Sequence, residues 1–175
     1  ENGNRTSHTD VNSHITSYDY DALNRIKEVI QPAVVATGYS YDLADNLISV
    51  SDAEDHVTKS TYDDAGRLLR TVSPDTGATS YSYDETGNLI SKTDANGVSI
   101  IYTYDSHNRL RKVDYPNDPD VSYHYDEGEF GRGRLTGMSD GSGAYLYFYD
   151  ALGNLVREQK TIEGVTYTTK YKYDE

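Results

Sequence analysis

The dipeptide Tyr-Asp recurs at Tyr20-Asp21, Tyr41-Asp42, Tyr62-Asp63, Tyr83-Asp84, Tyr104-Asp105, Tyr125-Asp126, Tyr149-Asp150 and Tyr173-Asp174, at intervals of 21, 21, 21, 21, 21, 24 and 24 residues. A fixed period of this size marks a repeat architecture, in which each unit is one supersecondary element that buries its apolar face only against its neighbours. Residues 1–175 therefore read as a single array of about eight repeats. Counting back from Tyr20 places Gly3 at the turn position of a truncated unit, and the chain stops at Asp174-Glu175 in the same phase. The expectation is a fragment of a longer polypeptide.

Two residues before each anchor a second tyrosine recurs, at Tyr18, Tyr39, Tyr81, Tyr102, Tyr123, Tyr147 and Tyr171, with Ser60 as the exception. Alternation of this kind marks a strand with one apolar face. In the stretch ending at Tyr104 that face carries Ile100, Tyr102 and Tyr104. The residues preceding the anchors, Asp19, Ser40, Thr61, Ser82, Thr103, His124, Phe148 and Lys172, are mostly polar and are expected to face solvent.

After each anchor aspartate comes a residue that tolerates positive φ: Asn24, Asp45, Gly66, Gly87, Asn108 and Gly153, with Gly133 taking that place in one longer unit. An arginine or asparagine follows, then Ile26, Leu47, Leu68, Leu89, Leu110, Leu135 or Leu155. The unit Tyr-x-Tyr-Asp-x-x-Gly-Arg/Asn-Leu thus predicts a strand, a tight turn and a returning strand. Asp21, Asp42, Asp63, Asp84, Asp105, Asp126, Asp150 and Asp174 are read as turn caps, since an aspartate carboxylate accepts from backbone N–H groups two residues on. One carboxylate per repeat does not assemble the six to eight oxygens calcium takes, so no metal site and no cofactor is expected. The longer unit, Glu127 to Arg134, reads as a loop insertion; its glycines lack the Gly-Lys-Ser/Thr ending of a phosphate loop.

The fold expected is all-β: tandem hairpins of about 21 residues in a curled, spiralling antiparallel sheet, since strands roughly 4.8 Å apart would span about 75 Å if flat. Only 35% of residues are hydrophobic, so the 18 tyrosines must supply most of the buried surface. Their stripe could instead stack on sugars, and off the two main positions Tyr115 is the tyrosine expected to be most exposed, ahead of Tyr145 and Tyr167. A net charge of −13 argues against nucleic acid and anionic membranes as partners. Without cysteine there is no disulfide, thiol nucleophile or zinc-thiolate site. His8, His14, His56, His107 and His124 read as lying at unrelated repeat phases, and adjacent acids such as Asp63-Asp64 read as solvated turn residues. No catalytic residue is expected.

The repeated Tyr-x-Tyr-Asp-x-x-Gly-Asn/Arg-Leu unit resembles the YD-repeat, or Rhs-repeat, family, over essentially the whole chain. That family includes bacterial Rhs proteins, the B and C components of insecticidal toxin complexes, wall-associated proteins and teneurins. The resemblance implies a spiralling β-shell that encloses a C-terminal toxin or other cargo in a secreted or cell-surface parent protein. The remaining repeats and the cargo would be its partners, with a cell-surface receptor or glycan as a further one. It also implies that the tyrosines and aspartates named above are scaffold positions. The other reading is an extracellular adhesion or carbohydrate-binding module. Unpaired sheet edges add an expectation of edge-to-edge self-association.

Overall fold

The computed structural model describes residues 2–33 and 35–174, and every regular element among them is a β-strand. The residues form two compact units, one running to Tyr81 and including Asp94–Asn96, the other containing Ser82–Thr93 and the residues from Gly97 onward. In the first unit lie β1 (Ser7–Thr9), β2 (Ile15–Tyr20), β3 (Ile26–Gln31), β4 (Val35–Tyr41), β5 (Leu47–Ser51), β6 (Val57–Tyr62), β7 (Leu68–Ser73) and most of β8 (Gly77–Tyr83). The second holds β9 (Leu89–Thr93), β10 (Ser99–Tyr104), β11 (Leu110–Asp114), β12 (Val121–Tyr125), β13 (Leu135–Asp140), β14 (Gly143–Tyr149), β15 (Leu155–Ile162) and β16 (Val165–Lys170).

Within each unit every strand pairs antiparallel with the strands before and after it in sequence. The tandem hairpins expected from the repeat are therefore present, one anchor tyrosine closing the first strand of each.

A bulge sets the register. Ser40 opposes Ser49 but Tyr41 opposes Leu47, leaving Ile48 as an extra residue, and the same shift falls at Asp19/Tyr20, Thr61/Tyr62, Thr103/Tyr104, His124/Tyr125 and Phe148/Tyr149. Two residues on one strand then face one on the other. Because residues directly opposite share a face, Leu47 and Val50 both lie beside tyrosines, Tyr41 and Tyr39, although they are three residues apart. Strict alternation would put them on opposite sides of the sheet. The bulge lets the aliphatic after the turn join the tyrosine stripe.

Burial is shallow. Val113, opposite Tyr102 and Val121, is the buried hydrophobic side chain among the described residues, at 6% exposure. The stripe tyrosines from Tyr18 to Tyr149 are half-buried, and Tyr171 and Tyr173 are exposed. The expected inner layer of buried rings is thus a half-covered stripe, because a sheet without a second layer on that face can cover a ring only with its lateral neighbours. The off-stripe expectation is also corrected. Tyr115 is half-buried and its N–H donates to Asp120 Oδ1, whereas Tyr167, on the wholly exposed β16, is 60% exposed.

Candidate functional site

The repeat residues converge at the hairpin turns. In the first, Asp21 N–H donates to the Arg25 carbonyl at 2.9 Å and Asn24 N–H to the Asp21 carbonyl at 3.1 Å. That pair of bonds describes a type I turn followed by a left-handed residue, a form of three-residue hairpin loop. The left-handed residue is Asn24 at φ 63°, and its counterparts are Asp45 (66°), Gly66 (75°), Gly87 (92°), Asn108 (59°), Gly133 (76°) and Gly153 (90°).

Six of the anchor aspartates hold their turns from inside. Asp21 Oδ1 accepts from the N–H groups of Leu23 and Arg25 at 2.9 and 3.0 Å, while Oδ2 accepts from Arg25 Nε at 2.7 Å. The same arrangement recurs at Asp42 with Asn46, Asp63 with Arg67, Asp105 with Arg109, and Asp150 with Asn154. At Asp84 the Asn88 amide and the Thr86 hydroxyl join the backbone donors. These bonds, the Asn88 side chain foremost, hold the Asp84 carboxyl at about 2. Asp126 differs because the insertion separates it from its turn. It adopts φ 67° itself and accepts from Gly133 N–H at 2.6 Å, and the Arg109 guanidinium drives its carboxyl well below the usual range. Asp174 closes no turn among the described residues.

At three turns, those of Arg25, Asn88 and Arg109, the residue after the left-handed position is seen to reach the next hairpin. Arg25 donates to the Asp42 carbonyl and to Asp45 Oδ1, Asn88 donates to Asn108 Oδ1, and Arg109 forks onto both carboxylate oxygens of Asp126. Both guanidiniums also lie over anchor rings, Arg25 4.6 Å from the Tyr41 centroid and Arg109 4.3 Å from that of Tyr125. The two-hairpin pairing raises the Arg25 and Arg109 pKa values above their ordinary one.

The anchor tyrosine adds a second tie in the same direction. Its ring pairs within its own hairpin while its hydroxyl donates to the carbonyl of the aliphatic that opens the preceding strand. The bonds run from Tyr41 to Ile26, Tyr62 to Leu47, Tyr104 to Leu89, Tyr125 to Leu110, Tyr149 to Leu135 and Tyr173 to Leu155, at 2.7 to 3.0 Å. Tyr20 reaches the Arg5 carbonyl in the same way. Burial pushes the hydroxyl pKa of Tyr104, Tyr125 and Tyr149 upward. Tyr125→Phe, which keeps the ring and removes only the donor, is expected to lower unfolding free energy by about 1 kcal/mol. Urea unfolding followed by circular dichroism would check it, and an unchanged midpoint would remove the hydroxyl from the account.

Two further turns repeat this chemistry. Asp10 Oδ1 accepts from Asn12 and His14 N–H groups and Asp52 Oδ1 from those of Glu54 and His56, while the imidazole Nδ1 atoms of His14 and His56 lie 3.1 Å from the aspartate Oδ2 atoms. The reading of the histidines as lying at unrelated phases is therefore corrected. His14 and His56 are 42 residues apart, two repeats, and each stands where Arg25 stands in the first turn. The same double spacing links Asp10, Asp52 and Asp94, links Pro32, Pro74 and Pro116, and separates Arg25, Arg67 and Arg109 from Asn46 and Asn88. A search at twice the tyrosine period would have found it.

Residues 2–148 match the teneurin YD-shell family model. The chain belongs to that family. No curated protein matches it. Among solved structures, this YD-shell chain is similar to a crystal structure of TcdB2-TccC3-TEV, with 18% identity and a TM-score of 0.71 over 93% of its length. It is likewise similar to the Tc holotoxin pore of Photorhabdus luminescens, with 20% identity and a TM-score of 0.70 over 90% of its length. In both cases it spans 9% of the other chain's length. These likenesses concern the fold. Within the YD-shell frame, the Tyr-Asp positions are where hairpins such as those of Asp42, Asp63 and Asp105 are closed and tied to the one before them.

Proposed function

We propose that this chain is a stretch of wall in a larger YD-repeat protein, a structural element whose repeats continue on either side and which helps encapsulate a toxin or other cargo. The observation that carries the proposal is the recurrent tie between hairpins, tyrosine hydroxyl to the preceding one along the array and, from Arg25, Asn88 and Arg109, a side chain to the following one. These bonds use the most recurrent side chains of the repeat for cohesion between hairpins, leaving them no part in chemistry on a substrate. Such a wall would act by continuity. It needs neither cofactor nor metal, and its exposed strand edges would pair with adjoining repeats or, in isolation, with other copies. A secreted or surface-displayed parent follows from the same reading.

Limited proteolysis of the parent chain, followed by mass spectrometry, tests it. A cargo region that survives protease for as long as the repeats stay folded, and is lost when they unfold, is the expected result. Rapid digestion of every region outside a stable repeat array would overturn encapsulation and favour an adhesive, glycan-binding role.

A further inference from the structure

The inserted hairpin loop is closed at its base by Asp126 N–H, which donates to the Arg134 carbonyl at 3.2 Å. The residues between these two lie outside β12 and β13, and among them Arg132 and Gly133 are exposed. This is an unusual place for a cation in this chain. Most of its lysines and arginines lie inside strands, where a peptide bond can be drawn out only by peeling the ladder apart. Arg25, Arg67, Arg109 and Arg134 abut the start of a strand and have their guanidiniums bonded within the turns. Between β1 and β16 that leaves Arg132, whose guanidinium has no partner among the described residues.

The bonds on either side of the Arg132–Gly133 peptide decide what its hydrolysis would leave. Gly133 N–H donates to Asp126 Oδ1 at 2.6 Å, and the Arg132 carbonyl accepts from Arg134 Nη1 at 3.3 Å. Hydrolysis breaks the C–N bond, adding the hydroxyl of water to the Arg132 carbonyl carbon and its hydrogen to the Gly133 nitrogen. At neutral pH the new acid then passes its proton to the new amine. The nitrogen becomes an ammonium already facing a carboxylate, and the carbonyl becomes a carboxylate already facing a guanidinium. Two hydrogen bonds are thereby converted into ion pairs of opposite charge, which are stronger. The ladder between β12 and β13 is untouched, and Arg134 keeps its place over the Tyr149 ring.

We propose that the Arg132–Gly133 bond is a processing site for an arginine-specific endopeptidase, and that the loop holds both of the ends the cut creates. Gly131 and Gly133 flank Arg132 and leave its backbone free to adopt the extended form a protease groove requires. Presenting it costs the Gly133–Asp126 bond and the bond from Arg134 N–H to the Gly131 carbonyl, and no strand pairing. After the cut, the strip from Glu127 to Arg132 is joined covalently at one end only, while the sheet stays continuous. The inference concerns the covalent state of the wall and stands apart from what the wall encloses.

Brief digestion of the folded chain with trypsin, followed by mass spectrometry, tests it. The first cut between β1 and β16 is expected at Arg132–Gly133, and Arg132→Gln should abolish it. The two pieces, residues 1–132 and 133–175, should co-elute on size exclusion and keep the circular dichroism of the intact chain. The ion pair at Gly133 has its own signature. An α-ammonium ordinarily titrates at about 8 and a facing carboxylate raises that value, so the stability it adds is present at neutral pH and is lost as pH rises through the raised value. The other titratable groups around Gly133 are His107, Arg109, Asp126 and Arg132, residue types that ordinarily titrate outside that window. Between about pH 7 and about pH 9.5 the thermal midpoint of the cut chain should therefore fall about 2 °C further than that of the intact chain. A first cut elsewhere between β1 and β16, pieces that part without denaturant, or equal pH responses of the cut and intact chains would each overturn the proposal.

Discussion

Gly143→Ala is expected to be among the most destabilising single-methyl additions in the chain, at about 2–4 kcal/mol. Two independent costs meet at this residue. Its φ of 151° lies in territory that side chains rarely occupy, and an added Cβ would run into the Thr161 carbonyl on the adjacent strand β15. The obstacle is backbone within a hydrogen-bonded ladder, so relief requires β14 and β15 to separate at their first pair, Ala144 with Thr161. Gly164→Ala supplies the comparison. It shares positive φ, at 79°, but an added Cβ there meets nothing within 4 Å, so only the conformational cost of about 1 kcal/mol should appear. Denaturant unfolding of the two variants separates the contributions, and equal losses would mean that the Thr161 approach carries no weight.

Acid should unfold the protein cooperatively between about pH 4 and pH 2, because the turn aspartates titrate in one direction together. Asp21, Asp42, Asp63, Asp105 and Asp150 all have carboxyl pKa values below the ordinary 3.8, and Asp84 lies at about 2. A carboxyl with its folded pKa depressed contributes stability that is complete above the unfolded value and disappears as pH falls through the folded one. The stability supplied by Asp84 is thus intact above about pH 4 and gone near pH 2. Protonation also removes an acceptor site from Asn88 and Thr86, which otherwise close the turn through it. Stability against pH, measured by tyrosine near-ultraviolet circular dichroism, should show the gap between wild type and Asp84→Asn closing toward pH 2. A gap of constant size across that range would rule out the ionised carboxylate as its source.

How far the sequence carried the architecture depended on which interactions leave a residue-type signature. Tyrosine alternation and the Asp-x-x-Gly spacing announce strands and turns because strand pleat and left-handed φ select residue types strongly. The bulge beside each anchor left no such mark, since Ile48, Leu69 or Arg111 at the extra position is compatible with ordinary strand. The second set of aspartate turns was obscured for a different reason. Its Asp10 and Asp52 members alternate with proline-containing connections, so the signal halves when every repeat is treated alike. The cleft of about 360 Å³ beside Phe148 could be flagged as a break in the polar face but not located, because its walls come from the inserted loop and three strands, β14, β15 and β16.

Sheets usually form slowly because strands distant in sequence must find one another before any pairing is rewarded. Here the pairing partner is always the next stretch of chain: the widest separation in the ladder between β14 and β15, Ala144 with Thr161, is 17 residues. The entropy of closing loops of this length is small and is met anew at each hairpin. A polypeptide built this way can acquire its structure from the leading end as it emerges from a ribosome or a secretion channel, each new strand adding to an edge already formed. Length therefore adds assembly time in proportion and leaves the height of the barrier unchanged, which lets an all-β wall be extended to many repeats.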